Sequence, residues 1–185
     1  MINGGRILAV DTFYHPDKAK TVGVLFDSWD QEEPSEVIES WTTDFGPYIP
    51  GQFYLRELPP TMKLLEQVDI KEIGILIVDG FLQVYDSEVG RLEKGLGLRL
   101  GEILRIEKKD LVLVGVAKTD YREQGERWKL AEPWKRGPKG SKPLWVQVDG
   151  MRIPDLMHGL GMMKGDCRLP DLLRILDKET KKEVA

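Results

Sequence analysis

Two aspartates close apolar runs: Asp11 follows ILAV, and Asp79 follows ILIV. An aspartate at the end of a buried strand is costly unless it is paired, caps the next helix or binds a cation. Two such acids, expected on separate, adjacent central strands, point to a cation. Hard divalent ions such as Mg²⁺ take oxygen ligands, and one or two carboxylates with several waters usually suffice. Glu57 would add a third carboxylate and Asp177, on the last helix, a fourth. The plainer alternatives are that Glu57 is a helix acid paired with Arg56 or Lys63 and that Asp177 is a solvated surface acid. Lys118 ends the run LVLVGVAK, so its ammonium must reach solvent or an anion. Beside a bound cation it would contact a scissile phosphate and stabilise the charge developing there. This set of residues predicts metal-assisted phosphodiester hydrolysis, the metal lowering the pKa of water and neutralising phosphate oxygens.

These side chains are spread over most of the chain, so the fold has to bring them together. RILAVDTFY (6–14), TVGVLFDSW (21–29) and EVIESWTTDF (36–45) predict three strands in an antiparallel meander, with HPDKAK as the first turn. Residues 53–68 have helical spacing. The Pro59-Pro60 pair predicts a break, with a second helix starting near Pro60. IGILIVDG (73–80) and LVLVGVAK (111–118) read as central strands buried on both faces. A helix predicted over 87–105 joins them in a right-handed parallel crossover, its glycines weakening it or letting it pack closely. PLWVQVDGMRI (143–153) predicts a hairpin at Asp149-Gly150. Residues 154–181 predict helix with a break around 164–169. The fold class is α/β: a mixed sheet flanked by helices, with an antiparallel N-terminal meander and parallel strands.

Composition sets the frame. At 185 residues, 41% hydrophobic and 31% charged, the chain reads as one domain with its own core, spanning 1–185. No apolar run approaches the roughly 18 residues of a membrane span. The opening MINGGRILAVDTF has no small-residue cleavage site, so no signal peptide is expected. The lone Cys167 excludes an internal disulfide and a cysteine-based zinc cluster, as a reducing cytoplasm would have it. The net charge of −4 argues against coating nucleic acid by bulk electrostatics, yet a carboxylate site itself contributes negative charge. Residues 122–142 carry seven Lys/Arg against three Glu, with Trp128 and Trp134 among them. Such a segment is either a solvated loop or a surface that holds phosphates and stacks on bases.

The stretch GPYIPGQFYLRELPP (46–60) encloses a tyrosine between prolines and glycines and leads straight into the segment that carries Glu57. With AVDTFY, ILIVDG, GVAK, KPLWV and RLPDLLRILD in the same order, it resembles endonuclease V, a family of the ribonuclease H-like fold. The resemblance runs from Asp11 to Asp177. It implies that Asp11, Glu57, Asp79 and Asp177 hold Mg²⁺ or Mn²⁺, and that Lys118 lies near the scissile phosphate. It implies too that Tyr48, set by Pro47, Ile49 and Gly51, wedges into the strand, with Gly80 and Tyr85 near the nucleic acid. A preformed wedge offsets part of the few kcal/mol that base extrusion costs. The implied activity is cleavage of DNA or RNA near a deaminated base, chiefly hypoxanthine, by a monomer.

The chain departs from that pattern after VDG. Phe81 and Leu82 stand where the family has histidine-glycine, Tyr85 where it has a second histidine, and Gly150-Met151 where it has glycine-histidine. Tyrosine donates a hydrogen bond but carries no positive charge. A nucleic-acid-binding protein of the same lineage with altered specificity or little activity is therefore the alternative. A third reading, a protein acting through tryptophan-anchored partner contacts, leaves the strand-end acids unexplained.

Overall fold

The computed structural model describes residues 5–47, 49, 52, 54–86, 90–119, 131–138 and 141–182. Among these, β1 (Arg6–Tyr14), β2 (Ala19–Phe26) and β3 (Glu36–Thr42) form the expected meander. Helix α1 (Tyr54–Leu65) and a single 3₁₀ turn (Ile70–Glu72) lead to β4 (Ile73–Asp79). There follow β5 (Gln83–Asp86), β6 (Arg91–Lys94), α2 (Leu96–Leu104), β7 (Val112–Ala117), β8 (Glu132–Trp134) and β9 (Leu144–Asp149). Helices α3 (Ile153–Met162) and α4 (Asp171–Lys181) complete the order. Seven strands make one sheet in the order β3-β2-β1-β4-β7-β9-β8, while β5 and β6 pair separately. The central strands β1, β4 and β7 run parallel, and β2, β3, β9 and β8 extend the sheet antiparallel. No helix among the described residues is long and apolar enough to cross a membrane.

Alternation along the central strands builds a core on each face. Leu8 and Val10 of β1 pack with Leu76 and Val78 of β4, Leu64 of α1 and Leu100 of α2. Ile7 and Ala9 face the other way, with Ile75, Ile77, Val114, Leu156 of α3 and Leu172 and Leu176 of α4. Each fully buried Leu, Ile or Val of this kind stabilises the fold by about 1.5–3 kcal/mol relative to exposure. Close approach of α2 to the sheet requires small residues: a Cβ on Gly101 would stand 2.4 Å from Leu113 Cδ1.

Three expectations from the sequence are corrected. The proline pair does not break α1, and both residues lie inside it. Pro60 cannot donate to the carbonyl of Arg56 four residues earlier; that oxygen instead accepts from the Tyr14 hydroxyl at 3.2 Å. The helix expected over 87–105 begins only at Leu96, because QVYD and RLEK alternate as strands and pair with each other. Of that expected helix, residues 87–89 lie outside the described residues. Asp149-Gly150 does not turn a hairpin. Gly150, at φ +99°, redirects the chain into α3, whose first turn holds Pro154, where the missing N–H costs nothing.

One buried cation ties α4 to the sheet. Lys20, 3% exposed, donates through Nζ to the carbonyls of Glu179 (2.9 Å) and Lys182 (3.3 Å) at the end of α4. The same ammonium lies 3.0 Å from Glu39 Oε2. Helix C-termini favour positive charge and leave carbonyls to satisfy. Lys20→Met strands those acceptors, so we expect a loss of about 1–3 kcal/mol, read as a lower urea midpoint at unchanged slope. A midpoint equal to wild type contradicts this role.

Candidate active site

The alternation that builds the α3/α4 core also delivers the polar residues. Asp11 continues the Ile7–Ala9 face of β1, Asp79 the Ile75–Ile77 face of β4, and Lys118 the Val114–Val116 face of β7. Val10 pairs with Val78 in parallel register, so Asp11 and Asp79 follow on neighbouring strands. All three stand at the carboxyl ends of parallel strands, where open α/β sheets bind their ligands. Asp177 arrives from α4 on the same face: Asp11, Asp79, Lys118 and Asp177 line one cleft with Leu169 and Leu173. Glu57 arrives from the first turns of α1, and Asp11, Glu57 and Asp79 line an adjoining pocket with Thr12 and Thr61. A groove of about 420 Å³ opens from Glu57, Asp79 and Lys118 towards β5 and α2.

Lys118 bridges two of the acids, with Nζ 3.1 Å from Asp79 Oδ2 and 2.6 Å from Asp177 Oδ1. Burial works to lower its pKa; the two carboxylates outweigh that and leave it raised. Asp177 also takes Lys181 at 2.7 Å, one helical turn on. Its own burial is overcome by these two lysines, which hold its pKa below the usual value. Asp11 accepts from the Thr12 amide (2.7 Å) and the Thr180 hydroxyl (3.3 Å). Burial, reinforced by the Asp79 charge, pushes Asp11 up to about 6. Burial, then the charges of Asp79 and Asp11, push Glu57 up to about 7.

Raised carboxylates in mutual repulsion are what a cation site looks like from the side of its ligands. The donor set is all hard oxygen, which suits Mg²⁺ or Mn²⁺ rather than zinc. Among the described residues no three acids or imidazoles are grouped tightly enough to enclose an ion as they stand. Two carboxylates plus water meet the ordinary need of Mg²⁺, so Asp11, Glu57 and Asp79, which line one pocket, fit it.

Other residues singled out in the sequence are placed less centrally. Gly80, at φ +115°, follows Asp79 and lines the groove, and its amide donates to Val116 O at 2.9 Å. On β5 it is Val84 that lines the groove, whereas Tyr85 pairs with Leu92 of β6. Pro47 and Ile49 lie in the approach to α1, where Gln52 N donates to Ile49 O at 3.0 Å. Tyr48 and Gly51 lie outside the described residues, as do Trp128 and most of the basic segment. From that segment Glu132–Trp134 forms β8, an edge strand that composition did not suggest. Thr180 and Lys181 also escaped the sequence reading. Lys181 was open to it, since it stands four residues after Asp177, but Thr180 carries no signal of its own.

The sheet order and the parallel core are those of the ribonuclease H-like fold. Within that class the chain superposes on endonuclease V structures. It matches endonuclease V from Ciona intestinalis, in complex with a 24mer DNA containing an inosine, at TM-score 0.73 and 15% identity, over 96% of this chain and 84% of that one. The Streptomyces avermitilis endonuclease V gives 0.70 and 22%, over 96% and 80%, and human ENDOV 0.70 and 20%, over 96% and 83%. No protein-family model and no curated protein sequence matches. The backbone likeness establishes the fold.

The raised acids make stability depend on pH in a definite direction. Asp11 and Glu57 bind their protons more tightly in the fold, at about 6 and 7, than at their ordinary 3.8 and 4.5. Between those limits the native state holds more protons than the unfolded chain, so stability falls as pH rises from about 4 to 7. The opposite slope from Asp177 lies at lower pH. Without divalent metal we expect a lower urea midpoint at pH 8 than at pH 5. Glu57→Gln should recover on the order of 2 kcal/mol at pH 8. A flat profile, or a Gln variant less stable than wild type at pH 8, contradicts the assignment.

Proposed function

We propose that the protein is a metal-dependent endonuclease of the endonuclease V type, cutting DNA or RNA at a phosphodiester near a deaminated base, hypoxanthine foremost, in nucleic-acid repair. The observation that carries this reading is the meeting of Asp11, Glu57, Asp79, Asp177 and Lys118 at the carboxyl ends of parallel strands. Asp11, Glu57 and Asp79 would hold Mg²⁺ or Mn²⁺, with Asp177 beside them. The ion supplies Lewis-acid neutralisation of the phosphate and activation of water. The chain's own part is positional. Thr12 and Thr180 orient Asp11, and Lys181 pins Asp177. Lys118, held between two acids, presents its ammonium to the charge growing on a phosphate oxygen. The Ciona protein, which shares the fold, has been captured with inosine-containing DNA; this supports nucleic acid as the substrate.

A second reading, a binder with little activity, is favoured by one feature: Phe81 and Leu82 replace the histidine-glycine of the resemblance. The two readings separate in one assay. Labelled DNA and RNA strands holding a single hypoxanthine are incubated with the protein and Mg²⁺ or Mn²⁺. We expect metal-dependent nicking, abolished by Asp79→Ala and slowed about 10²–10³-fold by Lys118→Ala. Binding without product at any metal concentration leaves only the binder.

A further inference from the structure

The start of α1 lacks two of its helical hydrogen bonds, and the loss falls beside Glu57. In a helix the N–H of residue i donates to the carbonyl of residue i−4. Pro59 and Pro60 carry no N–H, so the carbonyls of Leu55 and Arg56 have no helical donor. Leu55 O stands against Gly46, where a Cβ would come within 3.0 Å of it. Arg56 O accepts from the Tyr14 hydroxyl at 3.2 Å. An unpaired buried carbonyl costs free energy comparable to a lost hydrogen bond, so this bond ties the helix to the strand. The next carbonyl, that of Glu57, takes the Thr61 hydroxyl at 2.8 Å.

The tie joins two parts of the carboxylate pocket. Tyr14 ends β1, three residues after Asp11, and Arg56 immediately precedes Glu57. One hydroxyl therefore links the strand that carries Asp11 to the helical turn that carries Glu57. Ring contacts reinforce it. The guanidinium carbon of Arg56 lies 4.2 Å from the centre of the Tyr14 ring and 5.4 Å from that of Phe45, and the two ring centres are 5.6 Å apart. Arg56 Nε is buried and has no hydrogen-bond partner among the described residues, so the two rings hold this side chain. Burial, and after it the Glu57 charge, raise the Tyr14 phenol above its usual value, so it keeps the proton that it donates.

Repulsion from Asp79 and Asp11 pushes Glu57 outward, and its turn has two fewer helical bonds with which to resist. We propose that Tyr14 is a positioning residue for the cation site: its hydroxyl replaces the helical N–H that Pro60 lacks and so holds Glu57 against Asp11. This rests on the cation site of the nuclease reading and deepens it. Tyr14 acts through Arg56 and takes no part in the bond cleavage. Tyr14 and Pro60 work as a pair, so an N–H restored at position 60 makes the hydroxyl dispensable.

Calorimetric titration of Mn²⁺ into the full chain at pH 8, where Asp11 and Glu57 are ionised, tests the pairing. The proteins are wild type, Tyr14→Phe, Pro60→Ala and the double variant. Tyr14→Phe should weaken Mn²⁺ binding about 10- to 100-fold, the usual effect of losing a group that orients a metal ligand. Pro60→Ala should bind within about threefold of wild type, and adding Tyr14→Phe to it should cost less than about threefold more, because neighbours that share a partner are not additive. A hydroxyl that only supports the fold would lower the urea midpoint of Tyr14→Phe and leave its Mn²⁺ affinity at the wild-type value; that result overturns the proposal. So does a Tyr14→Phe loss that persists in full in the Pro60→Ala background, and so does a wild type that binds no Mn²⁺. If the nuclease reading alone fails, the pattern of affinities stands while no DNA or RNA strand is cut.

Discussion

Three carboxylates forced into one partly buried pocket are the constraint around which this molecule is organised. Asp11 and Asp79 sit side by side because β1 and β4 run parallel in a register that the apolar pairs beneath them set. Glu57 joins them from a separate helix. Their mutual repulsion and their burial both oppose the charged forms, as the raised Asp11 and Glu57 show. Nothing in apolar packing favours that arrangement, so the rest of the fold has to impose it.

The imposing contacts lie outside the pocket. On one side the Tyr14 hydroxyl takes the Arg56 carbonyl that Pro60 leaves without its helical donor, with the Arg56 guanidinium 4.2 Å from the Tyr14 ring. That fastens the first turns of α1, and Glu57 with them, to β1. On the other side Lys20 clamps the end of α4 to β2, while Thr180 of α4 reaches Asp11. Lys118 then works across the gap, partnering Asp79 and Asp177 at once. A site held by contacts of this kind keeps its geometry when the charge inside it changes, as the proposed cation-dependent reaction requires.

Much of this was legible in the sequence, because apolar strands that end in a charged residue are a strong local signal. Asp11, Asp79 and Lys118 could be assigned to strand ends from ILAV, ILIV and LVLVGVA alone, and the meander and the parallel pair followed from alternation and continuous apolar runs. What failed was punctuation. Pro59-Pro60 looked like a helix break because the compensating donor, Tyr14, is 42–46 residues away and invisible to any local pattern. Asp149-Gly150 looked like a hairpin because its turn chemistry does not say whether a strand or a helix comes next; Pro154 held that information. Strand β6 was read as part of a helix because a four-residue strand gives too few alternations to outweigh helical spacing. The site's supporting residues were hidden for a related reason: Lys20 and Thr180 act through backbone and side-chain partners far along the chain.

The central claim is that Asp11, Glu57 and Asp79 together form a divalent-cation site while burial and mutual repulsion raise Asp11 to about 6 and Glu57 to about 7. Calorimetric titration of Mn²⁺ into the protein at about pH 6.5, repeated in two buffers of different ionisation enthalpy, measures both parts at once, because a metal that needs ionised carboxylates must displace their protons. The account predicts saturable binding with net proton release, the release reduced in Glu57→Gln and the binding lost in Asp79→Ala. Absence of binding, or binding that releases no protons and survives Asp79→Ala, contradicts it.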